Sequence, residues 1–258
     1  MAQFKLIFGG IFMIRFLLVV IFVVLFLVLS IPLLVAEWIV GKFNQDLKDR
    51  SSLAIVNWAF RQVIRIAGTK VIVLGEENVP KDTAVLYVGN HRSYFDILLT
   101  YVRVPRPTGY VAKKEMAKYP LLSNWMRYLH CLFLDRQNVK EGLKTILTAI
   151  DKVKSGISIC IFPEGTRNKT ADTFLPFHEG SFKIAEKGDV PIVPMTLVNA
   201  ADIFEDHLPK IKKTTVVLEY GKPIYVKELD KETRKSLSTY VSGIISETYF
   251  RNKEKYFE

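Results

Sequence analysis

The dominant apolar pattern lies near the amino terminus, where residues 16–36 run for 21 positions without a charge and a shorter apolar run, 6–14, precedes Arg15. A stretch of that length can span or deeply enter a bilayer. A secretory signal is the competing expectation, but the run exceeds the usual apolar core of roughly 7 to 15 residues and no small-x-small cleavage site follows it. Arg15 and Pro32 interrupt the pattern, which allows either a single span or two shorter helices folded back as a hairpin within one leaflet. Lys42, Lys48 and Arg50 come next, a bias that places the remaining chain on the cytoplasmic side. The expected organisation is an anchor at 1–42 and one soluble domain at 43–258.

Within that domain, helical and strand periods alternate. Residues 53–67 carry apolar positions at helical spacing and stop at Gly68. Short apolar, β-branched runs predict strands at 71–74, 84–88, 110–111, 132–134, 157–162, 192–197 and 215–218. Helices are predicted at 96–101, 119–129, 139–154, 179–187 and 231–250. No internal repeat or low-complexity linker breaks the alternation. It predicts an α/β domain with a mixed, largely parallel sheet flanked by helices, behind an N-terminal membrane-embedded helical segment.

Composition narrows the partners. With 258 residues, 49% of them hydrophobic, the chain can bury one sizeable core. Its 36 Lys and Arg against 26 Asp and Glu give a net charge of +10, which favours an acidic partner: nucleic acid, an anionic membrane surface or a phosphorylated substrate. The apolar run favours the lipid options over nucleic acid. Cys131 and Cys160 both sit in strand-like runs, an arrangement that suits a reducing compartment and argues against a disulfide scaffold or a zinc site. The four histidines, His91, His130, His178 and His207, are too scattered to suggest a metal set.

Candidate chemistry begins at NHRSYFD, residues 90–96, directly after the predicted 84–88 strand. Ligands gather at the carboxyl ends of strands in open α/β sheets, so the placement is informative. Ser93 and Asp96 are spaced as a capping box, and taken alone the pair reads as a helix start beside a loop histidine. The chemical reading is that Asp96 holds one imidazole nitrogen of His91 while the other takes a proton from an alcohol. No Ser or Cys nucleophile is supplied nearby, so the hydroxyl would belong to the substrate. FPEGTRN, residues 162–168, follows a second apolar strand; Gly165 permits a tight turn and leaves Arg167 at the strand end, where a guanidinium suits a phosphate. Lys113 and Lys114 follow a third strand and Arg136 a fourth. Each cluster alone is an ordinary solvated turn, but a parallel sheet would collect all of them on one rim.

Four blocks in order then resemble the membrane-bound glycerolipid acyltransferases, most closely the bacterial 1-acyl-sn-glycerol-3-phosphate acyltransferases: NHRSYFD at 90–96, 113–136 from KKEMAKYPLLSNW through FLDR, FPEGTR at 162–167 and VPIVPMTL at 190–197. Two positions depart from that pattern: Ser123 stands where the family commonly has glycine, and Gly89 where many members have serine. The resemblance implies that His91 deprotonates the sn-2 hydroxyl of lysophosphatidic acid, which attacks a fatty acyl thioester, and that Asp96 orients the imidazole. It implies a phosphate site made by Lys113 or Lys114 with Arg167 and Arg136. Glu164, Gly165 and Thr166 are expected beside it, positioning the acceptor's glycerol or completing the turn. Acyl-CoA or acyl-ACP is the expected co-substrate, without cofactor or metal. The expected setting is the cell membrane, with the catalytic domain on the cytoplasmic face and no nucleic-acid partner. Other acceptors, such as glycerol 3-phosphate or a lyso-ornithine lipid, a lipid hydrolase, and a non-catalytic lipid-binding protein are the alternatives.

Overall fold

The structure is a computed structural model that describes residues 2–170 and 172–258; the side chains of residues 2–11, and Met1 of the expected anchor, lie outside that description. Helices α1 (Ala2–Leu29) and α2 (Ile31–Phe43) are separated only at Ser30. Pro32 has no N–H to donate back to the carbonyl of Val28, which explains a break there. Arg15 lies inside α1 and interrupts nothing. Asn44 caps α3 (Gln45–Ala67), accepting the N–H of Leu47 at 2.9 Å, and α3 stops at Gly68 with φ +72°. Arg15 lies beside Gly68, Phe26 packs on Trp58, Glu37 accepts from Ser51, and Gly41 meets Lys48. The partners descend along α3 as the chain ascends through α1 and α2. Both helices therefore run antiparallel to α3 and lie along the domain, with α2 continuing α1 in place of a hairpin return.

The sheet has the order β1-β7-β6-β2-β5-β3-β4. Its strands are β1 (Lys70–Leu74), β2 (Leu86–Gly89), β3 (Thr108–Lys113), β4 (Leu132–Leu134), β5 (Ser158–Ile161), β6 (Ile192–Val198) and β7 (Thr215–Tyr220). Strands β2 to β6 are mutually parallel; β7 runs antiparallel to β6 and carries β1 parallel to itself. The mixed, largely parallel α/β sheet expected from the alternation is present. The carboxyl ends of five strands share one rim, and the β6–β7 connection opens and closes on it.

The alternating side chains of β2 show how the sheet is sandwiched. Val85 and Tyr87 join the core beneath α3, α4 (Phe95–Tyr101) and α5 (Pro120–Tyr128). Leu86 and Val88 face α6 (Val139–Lys154), α7 (Lys183–Gly188) and α9 (Leu237–Phe257). Full burial of each such aliphatic side chain stabilises the fold by about 1.5–3 kcal/mol. Two predicted helices are not continuous. The 179–187 helix begins as a 3-10 turn, Glu179–Phe182, and the 231–250 helix is α8 (Lys231–Lys235) followed by α9, parted at Ser236.

Candidate active site

Asn90 fixes where the catalytic loop leaves β2. Its side chain pairs with the backbone of Leu197 on β6 as another strand residue would, Nδ2 donating to the carbonyl and Oδ1 accepting the N–H, both at 2.9 Å. His91 follows, and its main chain is held on both sides by the loop after β5. Its N–H donates to Glu164 Oε1 at 2.7 Å, and its carbonyl accepts the N–H of Asn168 at 2.7 Å. Its ring stacks on Phe162, with centroids 4.4 Å apart and planes 18° from parallel.

The His91 side chain, 15% exposed, places Nδ1 2.9 Å from Asp96 Oδ2. That oxygen also accepts the N–H groups of Arg92 and Ser93, each at 2.7 Å. A carboxylate can only accept here, so in the neutral imidazole Nδ1 carries the proton and Nε2 has the lone pair. Asp96 thus ties the turn before α4 to the imidazole of His91. Ser93 Oγ accepts the N–H of Phe95 at 3.0 Å and donates its proton to Glu205 Oε2 at 2.6 Å. Its hydroxyl is committed, consistent with a nucleophile that comes from the substrate.

The carboxyl of Glu164 is buried, and burial is the main cause that pushes it up to about 6, against the hydrogen bonds from His91 and Leu175 that lower it. Gly165 beside it has φ +71°, and a Cβ there would stand 3.1 Å from His178 Nε2, so both conformation and space favour glycine. A cleft of about 330 Å³ opens next to this turn, lined by Lys113, Arg136, Glu164, Gly165, Thr166 and His178. Lys113 at the end of β3 and Arg136 just after β4 thus share one cleft with the PEGT turn, beside the carboxylates of Glu115 and Asp135.

Two of the expected phosphate ligands are placed otherwise. Lys114, offered as an alternative to Lys113, does not line the cleft itself but pairs at 2.5 Å with Asp135, which does. Arg167 does not line it either. Its guanidinium lies 3.6 Å above the Tyr94 ring, and Nη1 donates to Glu205 Oε1 at 3.1 Å. Glu205 and His178 carry no sequence signal, because only the sheet order shows which loops reach the His91 rim. Glu164, whose role the sequence left divided between substrate and turn, spends both oxygens on backbone N–H groups, of His91 and of Leu175 at 3.4 Å.

The acyltransferase family model matches residues 70–198, the stretch from β1 through β6 that holds His91, Asp96 and the cleft residues Lys113, Arg136 and Glu164, with Glu205 beyond its end. The chain belongs to the acyltransferase family. Among its relatives, the 1-acyl-sn-glycerol-3-phosphate acyltransferase of Borreliella burgdorferi is 29% identical over 192 residues, covering 74% of this chain and 76% of that one. The Helicobacter pylori enzyme of the same name is 33% identical over 161 residues, 59% of this chain and 68% of its own; the Saccharomyces cerevisiae enzyme is 32% identical over 167, 64% and 55%. The crystal structure of the 1-acyl-sn-glycerophosphate acyltransferase PlsC from Thermotoga maritima has the same fold, with a TM-score of 0.82 at 23% identity over 96% of this chain and 98% of that one.

Both departures from the acyltransferase pattern have a local explanation. Ser123 is buried, and its Oγ donates to the carbonyl of Pro120 at 3.2 Å and accepts from Arg127 at 2.9 Å. The added hydroxyl is satisfied within α5. At Gly89 a Cβ would stand 3.1 Å from Phe162, the ring on which His91 stacks, and 3.3 Å from the Met195 carbonyl. A serine there requires those neighbours to shift by a few tenths of an ångström.

Proposed function

We propose that this acyltransferase moves a fatty acyl group from an acyl thioester, acyl-CoA or acyl-ACP, to the sn-2 hydroxyl of 1-acyl-sn-glycerol 3-phosphate, giving phosphatidic acid. The observation that carries the reading is His91 Nδ1 fixed on Asp96 at 2.9 Å, with Nε2 left as base and the neighbouring Ser93 hydroxyl committed to Glu205. Nε2 takes the proton of the acceptor hydroxyl as its oxygen bonds to the thioester carbonyl carbon. The tetrahedral adduct collapses by breaking the carbon–sulfur bond, and the imidazolium returns the proton to the departing thiolate. Asp96 stabilises the imidazolium between these steps, as in a Ser-His-Asp triad with the substrate as nucleophile. The thioester supplies the activated acyl group, so no step is routed through a metal or cofactor.

Lys113 and Arg136 provide the cleft for the acceptor phosphate, with Arg167 adding a second contact from the Tyr94 side. The apolar face of α1 supports a membrane setting. Phe16, Val19, Phe22 and Phe26 pack on the domain, while Leu17, Ile21, Val24 and Val28 stay exposed. A helix packed on the domain from Phe16 to Phe26 cannot cross a bilayer upright without dragging charged α3 residues such as Arg61 and Arg65 with it, at a few kcal/mol each. The reading is therefore an apolar face laid into one leaflet, on the cytoplasmic side by the Lys42, Lys48 and Arg50 bias. Lipid acceptor then reaches the rim without moving acyl chain through water, at about 0.8 kcal/mol per CH₂.

The test is a matrix of acyl-CoA and acyl-ACP donors against lysophosphatidic acid, glycerol 3-phosphate, lyso-ornithine lipid and water, using the full chain in vesicles. Acylation of lysophosphatidic acid above the other acceptors is expected. Preference for another acceptor, or thioester loss without acylated product, overturns the reading.

A further inference from the structure

The β6–β7 connection reaches the catalytic rim only because β7 turns antiparallel to β6. Glu205 in that connection spends both carboxylate oxygens on the catalytic loops. Oε2 accepts the Ser93 hydroxyl at 2.6 Å; Oε1 accepts the N–H of Tyr94 at 2.7 Å and Nη1 of Arg167 at 3.1 Å. One carboxylate thereby joins the two residues before the helix of Asp96 to the arginine of the FPEGTR turn. The connection is itself held to α1: Phe204 stacks on Phe16 with centroids 5.7 Å apart and planes 12° from parallel, and the N–H of Ile211 donates to the carbonyl of Phe12 at 3.2 Å. Such a fixed base lets a loop side chain act as a buttress.

We infer that Glu205 is a positioning residue of the acceptor site, aiming the Arg167 guanidinium at the acceptor's phosphate and steadying the Ser93–Tyr94 turn that carries Asp96 to His91. This rests on the acyltransferase reading above. A guanidinium has five N–H donors in a rigid fork, so anchoring one edge on Glu205 and one face on Tyr94 fixes where the others point. Without the carboxylate the long side chain would have to be ordered by the phosphate itself, and binding would bear that entropy. Ser93 and Tyr94 make a different demand. The Tyr94 N–H needs an acceptor oxygen, charged or not, whereas the Ser93 hydroxyl can either donate or accept.

The two demands separate in two variants. Glu205→Gln keeps one oxygen for the Tyr94 N–H and turns its amide N–H to the Ser93 oxygen, but removes the charge that holds Arg167; Glu205→Ala removes all of these contacts. In the full chain on phosphatidylcholine vesicles, Glu205→Gln is expected to raise the KM for lysophosphatidic acid about fivefold, with kcat within about twofold and the donor KM unchanged. Glu205→Ala is expected to raise that KM and also lower kcat about tenfold. In an Arg167→Ala background, Glu205→Gln adds nothing further to KM, because the two act as one unit. An unchanged acceptor KM in Glu205→Gln overturns the inference. So does a parallel loss of kcat, donor affinity and melting temperature, which marks a merely structural residue. If the wild-type chain fails to acylate lysophosphatidic acid, the proposed function falls first and this inference with it; active wild type with an indifferent Glu205→Gln rejects the inference alone.

Discussion

Glu164 accepts the backbone N–H of His91 at 2.7 Å, so two motifs 73 positions apart in the chain meet at the main chain of the base. The FPEGTR turn thus builds the base's platform as well as the neighbouring cleft. Glu164→Ala leaves that N–H without its acceptor, a loss of about 1–3 kcal/mol, and lets the imidazole drift from its reacting position. We expect at least a tenfold fall in kcat, measured with saturating donor and acceptor, and a lowered melting temperature. Wild-type kcat in this variant would show that Asn168 and Phe162 suffice to hold His91.

The same carboxyl predicts a pH dependence of stability. Its folded value of about 6 lies above its ordinary 4.5, because burial disfavours the charge. Between those values the folded chain holds more proton than the unfolded one. Stability from this group is therefore full below about pH 4.5, is lost as pH rises to about 6, and is level above. A rise of about one and a half units corresponds to about 2 kcal/mol. Glu164→Gln keeps an acceptor for His91 but cannot ionise. Chemical denaturation at intervals from pH 4.5 to 7 should show a smaller decline in Glu164→Gln than in wild type, and an equal decline removes Glu164 as its source.

His91→Ala should abolish transfer while the protein remains folded and vesicle-bound, since a general base contributes on the order of 10²–10⁴ in rate. Asp96→Asn should be nearly as inactive and also less stable, because Oδ2 accepts from Arg92 and Ser93 as well as His91. Circular dichroism melts beside the activity assay distinguish the two. Residual transfer above about 1% in folded His91→Ala would discard the proposed base.

Lys113 and Lys114 are adjacent in sequence and differ in surroundings: one lines the cleft with Arg136, the other is held at its edge by Asp135. Lys113→Ala and Arg136→Ala should each raise the acceptor KM about tenfold, the scale of a charge-assisted phosphate contact. Lys114→Ala should leave it within about twofold. A reversed order would mean that the Lys114–Asp135 pair opens when the acceptor arrives.

What the chain announced in advance, and what it withheld, follows from range. Asp96 three residues after Ser93 is a local pattern, and both the helix start and the pairing with His91 follow from contacts within five residues. The strands of the parallel core were legible for the same reason: buried on both faces, they read as continuous apolar runs. Glu205 was not, because its partners Ser93 and Arg167 lie 112 and 38 positions away and meet it only through the reversed direction of β7. Likewise nothing local distinguishes Lys113 from Lys114. Which of them meets Asp135 depends on how β4 pairs with β3.

The outward face of α1 carries the last prediction. Leu17 and Val24 are about half exposed along a helix whose other face is packed on the domain. Charge placed there should disturb the membrane seat without entering the core. A lysine at membrane depth costs up to about 3 kcal/mol, less near the headgroups where its long stem can reach water. Leu17→Lys with Val24→Lys should therefore shift the protein from sedimenting vesicles to the supernatant by about tenfold or more, and should lower activity on vesicle-borne lysophosphatidic acid. Activity on a short-chain, water-soluble acceptor should persist, because neither residue touches the loop of His91 or the cleft of Lys113. Undiminished vesicle binding would place the seat elsewhere, whereas equal loss on both acceptors would show that this face supports the fold itself.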